Sequence, residues 1–462
     1  MTTASFDPAA LRAAVRGPVA LPGEPEWDAA RQAWNLAADQ HPAAVLHATG
    51  PDDVIAAVGC ARRAGLRVAP QGIGHGAGAL GPLDDTLLLR TTRMTHVEVD
   101  AAARRARVEA GAAWEPVARL AGEHDLAALH GSSGTVGVAG YTLGGGLGWL
   151  ARQHGLASEA VTAIELVTAD GRLRRATAEQ EPELFWALRG GGGSFGVVTA
   201  LEFELFPLAE AYGGGIFWPG EHATAVMRAY REWAATLPDS VSTTVRLLRL
   251  PPFPQVPEPL RNVPIVDVGL VVAGDAASGA ELVAPLLAAT PPPLANRVGP
   301  LRAPDLAFVH GDPEQPVPGV GHHALLRELP DAAIDALVAV AGADSGSPLL
   351  SCELRQLGGA LGRRAPGSGA LGALDAAFAL YGVGIPAGPE VAQAVQERLD
   401  AVVEAVAPWQ APTGYLNFAD RPGGDSADLF DGATHARLLA LKREVDPEGL
   451  IVSGHALALP AA

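Results

Sequence analysis

The sequence predicts an α+β protein of two domains, and three observations carry that expectation. Its 462 residues exceed what one ordinary hydrophobic core serves. From about residue 44 to residue 207, short strand patterns alternate with helical ones. After Pro207 the texture changes to proline-rich connections between new strands and helices.

Taken in order, "PDDVIAAVGCARRAG" is a helix opened by acids that suit its N-terminus and closed by Gly65. "LRVAP" and "TLLLRT" read as strands on either side of the glycine-rich "QGIGHGAGAL". "THVEVD" and "RARVEAG" alternate with period two around a polar turn. "AIELVTADGRLRRAT" reads as a hairpin turned by two residues, Asp170-Gly171. "FGVVTALEFELFP" is a long strand with Phe195, Val197, Thr199, Leu201, Phe203 and Leu205 on one face. Beyond it, "LPPFPQVPEPLRNVP" and "TPPPLANRVGPLRAP" cannot be helix interiors. "STTVRLLRL", "PIVDVGLVVAG", "LLSCELRQLGG" and "DAAFALYGVGIP" read as strands, and "PEVAQAVQERLDAVVEAVAP" and "THARLLALKREVDPEG" as helices. His310, His322 and His323 read as loop residues.

Acidic residues outnumber basic ones by 51 to 33, a formal charge of −18, which argues against nucleic acid or an anionic membrane as partner. A bound phosphate would therefore be held locally, by backbone N–H groups or a few arginines. Cys60 and Cys352 offer neither a disulfide framework nor metal-ligand spacing, and Cys60 reads as a core thiol on a helix. No secretory leader and no apolar run of membrane-spanning length is seen, so a cytoplasmic protein is expected. The oligomeric state is left open.

No P-loop, HExxH or GxSxG motif occurs, and no glycine run follows a strand and opens a helix with a downstream ribose-binding acid. No metal is expected. Three glycine-dense segments remain, at 72–78, 131–148 and 190–196. Glycine exposes backbone N–H groups to close approach by an anion. Such a density suggests a long backbone-lined groove for a ligand with a diphosphate and a flat ring.

"GIGHGAG", "GTVGVAGYTLGGGLGWLARQHGLASEAV", "LVTADGR", "PELFWALRGGGGSFGVVT", "YLNFAD" and "RLLALKREVDP" occur in that order. Together they resemble the berberine bridge enzyme-like flavoproteins of the vanillyl-alcohol oxidase superfamily, including the 6-hydroxy-D-nicotine oxidase type. The resemblance covers about residues 40–207 and 405–458, with a looser match between. It implies a two-lobed FAD-binding domain of the PCMH type, formed by residues 1–207 and completed by 405–462. An α+β substrate domain on an antiparallel sheet, residues 208–404, is inserted between them.

The resemblance also implies that His75 bonds covalently to the flavin 8α-methyl, while Gln71, Gly72, Ile73, Gly74, Gly76 and Ala77 form the surrounding loop. The family's arginine-like and serine contacts before this histidine are replaced here by Gln71 and Gly72. Ser133 stands where some members carry a second, cysteinyl attachment, so a single covalent bond is expected. Gly134, Gly137, Gly140, Gly146 and Gly148 follow as backbone contacts, with Gly196 and Val197 further on. Val136 matches the position that controls oxygen access, Tyr141 the pyrimidine edge, and Asn417 the Y-x-N signature led by Tyr415. In this scheme Tyr415 is the base and Tyr381 a candidate partner. Glu353 and Arg355, alternating on one strand, read equally as an ion pair, a solvated face or a site pair.

The function implied is an FAD-dependent oxidase taking a hydride from an alcohol or amine carbon of a small organic substrate, a sugar or secondary metabolite. Dioxygen would reoxidise the flavin to give hydrogen peroxide. A dehydrogenase of the same fold and a flavin-binding protein without turnover remain as alternatives.

Overall fold

The computed structural model describes residues 6–252, 256, 258–424, 426–455 and 457; the extreme ends of the expected domain ranges, 1–5 and 458–462, lie outside the described residues. Strands β1 (Val19–Ala20), β2 (Ala44–His47), β3 (Arg67–Gln71) and β4 (Thr86–Arg90) form a sheet in the order β1-β2-β4-β3, with β4 parallel to both its neighbours. Parallel pairing requires a crossover, supplied by helix Pro51–Ala64. Asp52 and Asp53 sit in its first turn, Gly65 ends it at φ 70°, and Val54, Ala57, Val58 and Ala61 are its buried stripe.

A second sheet has the order β5-β6-β10-β8-β9, from β5 (Val97–Asp100), β6 (Arg105–Glu109), β8 (Val161–Val167), β9 (Leu173–Ala176) and β10 (Val197–Glu204), all antiparallel. The β8–β9 hairpin forms as expected, but its turn is longer. Thr168 N–H bonds to the Arg172 carbonyl across a three-residue loop with Gly171 at φ 78°. β7 (Leu126–Ala127) and β11 (Phe206–Pro207) make a short ribbon.

The third sheet contains β12 (Ala211–Pro219), β13 (Val241–Arg249), β14 (Pro264–Val272), β15 (Ala295–Asn296), β16 (Gly299–Leu301), β17 (Val320–Leu326), β18 (Ser351–Gln356) and β19 (Phe378–Gly384). Its order is β15-β12-β14-β13-β18-β19-β17, with β16 on β12. His322 and His323 therefore lie on β17 and not in a loop, whereas His310 is in a turn. One face of this sheet is apolar: Trp218, Val245, Val268, Leu354 and Leu380 bury against helices Ala223–Ala234, Asp331–Ala341 and Pro389–Ala405. Since residues alternate between faces, the intervening positions turn towards the glycine-rich segments.

The C-terminal segment returns to the first sheet, where Val68 of β3 bonds to Leu450 and Val452. Lys442, 3 % exposed, fastens this return. Its ammonium lies 2.5 Å from Asp446 and donates to the carbonyls of Ser194 and Ile451, while Asp446 accepts from the Leu450 and Ile451 N–H groups. Asn35 clasps the other side, donating to and accepting from the Gly319 backbone just before β17.

Candidate active site

β3 delivers the chain into the glycine loop, which Gly74 turns at φ 97°. The His75 ring stacks on Trp34 with centroids 3.9 Å apart and an interplanar angle of 16°. Its Nε2 faces the Thr135 hydroxyl at 3.3 Å, and Thr135 meets Ser133 at 2.9 Å. Nδ1 is buried and has no hydrogen-bond partner. Burial holds the imidazole at a pKa of about 4, so it is neutral and nucleophilic at ordinary pH. Gln71 turns onto Gln40 at 2.9 Å. The cation absent from the loop is supplied by its register partner on β4: Arg90, buried, donates to the carbonyls of Gly72, Ala30 and Gln32.

Ile73 packs beside Gly137, which caps helix Val138–Leu143, and Ala77 is buried behind the loop. Gly134 and Val136 accept backbone bonds from Glu115 and Trp114. Gly196 and Val197, by contrast, pack against β8 with Val197 wholly buried, as core residues. The glycines of 131–148 serve less as an open groove than the sequence suggests. A Cβ at Gly131 or Gly146 would come within 3.0 and 2.5 Å of the Tyr141 ring, one at Gly148 within 1.9 Å of the His130 carbonyl, and one at Gly144 would strike the Asn417 side chain. The first two admit the Tyr141 ring, which also meets Trp114 edge-on at 5.6 Å and keeps a buried, unpartnered hydroxyl. The residues nonetheless fit an FAD: His75 offers a free buried nitrogen, and Gly76 and Gly140 face space where a Cβ would meet nothing within 4 Å.

Opposite stands the polar face of the third sheet. Register places Asp267 beside Arg246, Arg246 beside Glu353, Glu353 beside Tyr381 and Tyr381 beside His323, a single row across five strands. Arg246 binds Asp267 at 2.5 Å and the His310 carbonyl at 3.0 Å. His310 bridges Asp312 (2.6 Å) and Glu353 (2.9 Å), and Glu353 pairs with Arg355 at 3.0 Å. Ser132, from the glycine-rich segment, donates to Asp312 at 2.7 Å. Burial alone would neutralise this cluster, but its charges hold one another. Asp312 stays below the usual carboxylate range, Glu353 stays at about 2, and the two acids keep His310 above its ordinary value. Glu353 and Arg355 are thus a buried ion pair within a larger network.

The two tyrosines flank Phe418, with centroids 5.0 Å for Tyr415 and 4.9 Å for Tyr381, and the Arg355 guanidinium lies 5.3 Å from the same ring. Tyr415 is fully buried. Its hydroxyl accepts from Asn417, which also donates to the Tyr141 carbonyl, and its N–H donates to His323 Nε2 at 2.9 Å. Burial raises the Tyr415 phenol above its ordinary pKa, against the pull of Asn417 and the Gly146 backbone. Tyr381 does not pair with Tyr415: its hydroxyl donates to Asp420. Burial raises Asp420 to about 6, with the Tyr381 bond pulling the other way. Sequence reading missed Asp420, although it ends the "YLNFAD" motif, and missed Asp267, although an acid interrupts an otherwise apolar strand. His310, His323 and Trp34 gave no local signal.

Residues 42–177 match the FAD binding domain family. Glucooligosaccharide oxidase from Sarocladium strictum is 34 % identical over 228 residues, 48 % of this chain and 46 % of that protein. (R)-6-hydroxynicotine oxidase from Paenarthrobacter nicotinovorans is 33 % identical over 205 residues, 44 % and 45 % of the two chains. The chain spans about half the length of the curated relatives it matches. Among solved structures, BBE-like 1 of Physcomitrella patens superposes with a TM-score of 0.86 at 22 % identity over 98 % of this chain and 99 % of that one. The xylooligosaccharide oxidase of Myceliophthora thermophila does so with 0.83 at 24 % over 99 % and 100 %. Domain and fold define a flavoprotein that binds FAD. Within that class the fold of the whole chain is the one shared by the BBE-like and 6-hydroxy-D-nicotine oxidase structures.

Proposed function

We propose that this protein is an FAD-dependent oxidase of small organic molecules, removing a hydride from a carbon that bears oxygen or nitrogen and passing the electrons to dioxygen to give hydrogen peroxide. The observation that carries the reading is the polar sheet row with its half-buried Tyr381, flanked by the fully buried Tyr415 and set beside the segment whose histidine offers a free nitrogen. When bound, FAD supplies the two-electron acceptor. His75 is the residue that would hold it covalently, with Ser133 and Thr135 aligning the imidazole and no second attachment. Val136 governs dioxygen access, and Tyr381 and Tyr415 hold the reacting hydroxyl or amine and handle its proton. With His310 protonated, Arg246, Arg355 and His310 balance Asp267, Asp312 and Glu353, so the face is polar without net charge. That suits an uncharged, hydroxyl-rich substrate of the sugar class, in keeping with relatives named as oligosaccharide oxidases. In this reading residues 1–207 and 405–462 hold the cofactor and 208–404 the substrate. The unpaired Cys60 and Cys352 accord with a cytoplasmic setting, and among the described residues no helix is long and apolar enough to cross a membrane.

The test is anaerobic mixing of the purified yellow protein with glucose, cellobiose, xylobiose, benzyl alcohol and nicotine. Bleaching by at least one, followed by peroxide on admitting air, is expected. Bleaching without peroxide would leave a dehydrogenase, and no bleaching by any class would leave a flavin carrier.

A further inference from the structure

We propose that the protein binds a single halide ion, ordinarily chloride, in a small pocket between the glycine-rich segment and the third sheet. The site goes beyond the oxidase reading and does not depend on it. A cavity of about 20 Å³ lies there, walled by Ser132, Trp149 and Arg152 on one side and by Thr244, Arg355 and Gln356 on the other. About 10–15 Å³ is the least that holds one water, so the space takes one small ion and excludes a flavin or a sugar ring.

The free groups on its wall are donors. The Trp149 indole N–H and the Thr244 hydroxyl are buried and have no hydrogen-bond partner among the described residues. An indole N–H can only donate, and leaving it unmet in a buried place is costly. No carboxylate lines the cavity. The Ser132 hydroxyl is given to Asp312 and the Thr243 hydroxyl to Gln356.

Charge points the same way. Arg246, Arg355 and protonated His310 balance Asp267, Asp312 and Glu353, so Arg152, on helix Ala151–His154, is left over. Arg152 is 5 % exposed, and no carboxylate lies at ion-pair distance from it among the described residues. It donates to the carbonyls of Val241, Leu237, Pro238 and Leu357, which hold the guanidinium without neutralising it. Asp239, whose field reaches it, is paired with Arg363 at 2.9 Å. A buried cation without a counter-charge is expensive. A halide accepts from both free donors and offsets Arg152, whereas a water does only the first.

The fold keeps the space open. Gly269 on β14 lies opposite Thr244 in register, and a Cβ there would come within 2.8 Å of the Thr244 hydroxyl and 3.4 Å of the Trp149 ring. An ion held by Trp149 and Thr244 joins the glycine-rich segment to the sheet, so its binding should stabilise the folded protein.

The test uses bromide, which scatters anomalously and resembles chloride in size. Crystals of the FAD-loaded protein soaked in sodium bromide should show an anomalous peak within hydrogen-bonding reach of Trp149 Nε1 and Thr244 Oγ1. In solution, bromide replacing methanesulfonate at constant ionic strength should raise the melting temperature by roughly 2–5 °C, because methanesulfonate is too large for the cavity. Thr244→Val keeps the shape and Trp149→Phe an aromatic ring, and each removes one donor. Each should weaken bromide binding by roughly 10–100-fold, read from the bromide dependence of melting. In methanesulfonate alone, Thr244→Val should melt no lower than the parent, since the hydroxyl it removes has no partner. A Thr244→Val protein destabilised equally in both salts would make the hydroxyl merely structural and overturn the site. Water density without an anomalous peak overturns it, as does a bromide response unchanged in both variants. A peak without any response in solution is binding at crystal concentration only, and overturns it too.

Discussion

His75 shows how much one residue depends on its surroundings. Its stacking on Trp34 fixes the ring plane, Thr135 occupies one nitrogen, and burial keeps the other neutral and free. Protein denatured in acid should therefore retain its yellow colour in the precipitate, and proteolysis should yield one flavin-bearing peptide containing His75. His75→Ala should release all FAD to the supernatant while still binding it when folded, since the backbone of the loop is untouched. Val136 makes a different prediction. Leucine adds one methylene, which should slow reoxidation by air while leaving anaerobic reduction nearly unchanged; equal slowing of both would mean general distortion. The motif "YLNFAD" made Tyr415 and Asn417 legible as a pair, and the structure joins them by a hydrogen bond. The hydrogen bond between Tyr381 and Asp420 was not legible, because Tyr381 lies on a strand whose register no local pattern encodes.

Among the elements, the segment 131–148 departs most from its sequence reading. Glycine density suggested backbone bared to a ligand, whereas the structure uses Gly131 and Gly146 to admit the Tyr141 ring and Gly148 to pass the His130 carbonyl. Gly146→Ala should lower stability by roughly 2–4 kcal/mol, combining overpacking with a strained backbone at φ 82°. Adding Tyr141→Leu should recover part of the overpacking loss in urea unfolding, and no recovery would place the cost in the backbone alone. The strands of the third sheet were legible from their apolar runs. What those runs concealed was the opposite face, where Asp267, Arg246, Glu353, Tyr381 and His323 align only through pairing across five strands. His322 and His323 were hidden as strand residues by the flanking glycines of "VPGVGHHALL".

For the whole molecule, the network from Ser132 through Asp312, His310 and Glu353 couples the glycine-rich segment to the third sheet and makes their contact pH-dependent. Glu353 and Asp312 are held below their unfolded values, so their contribution is present above the ordinary carboxylate range and lost as pH falls towards about 2. His310 is held above its unfolded value of about 6.5, so its contribution is full below that pH and lost as pH rises through the raised value. Melting temperature should thus be highest in mildly acidic to neutral solution and decline on the alkaline side, and His310→Gln should flatten that decline in calorimetry. Lys442→Met leaves Asp446 buried without its cation and should cost about 3–5 kcal/mol, read from the urea midpoint.

The bonds from Val68 to Leu450 and Val452 bear on how the chain is made. β3 is an edge strand, and the residues that cover it emerge from the ribosome only after the whole third sheet has been synthesised. Until then the nascent first sheet carries an unpaired edge, the kind of template on which neighbouring chains mispair. Closing so distant a contact is slow compared with forming local hairpins. Expression should therefore depend on holding that edge soluble during translation, and chains ended before Leu450 should accumulate as aggregates even when their third sheet is complete.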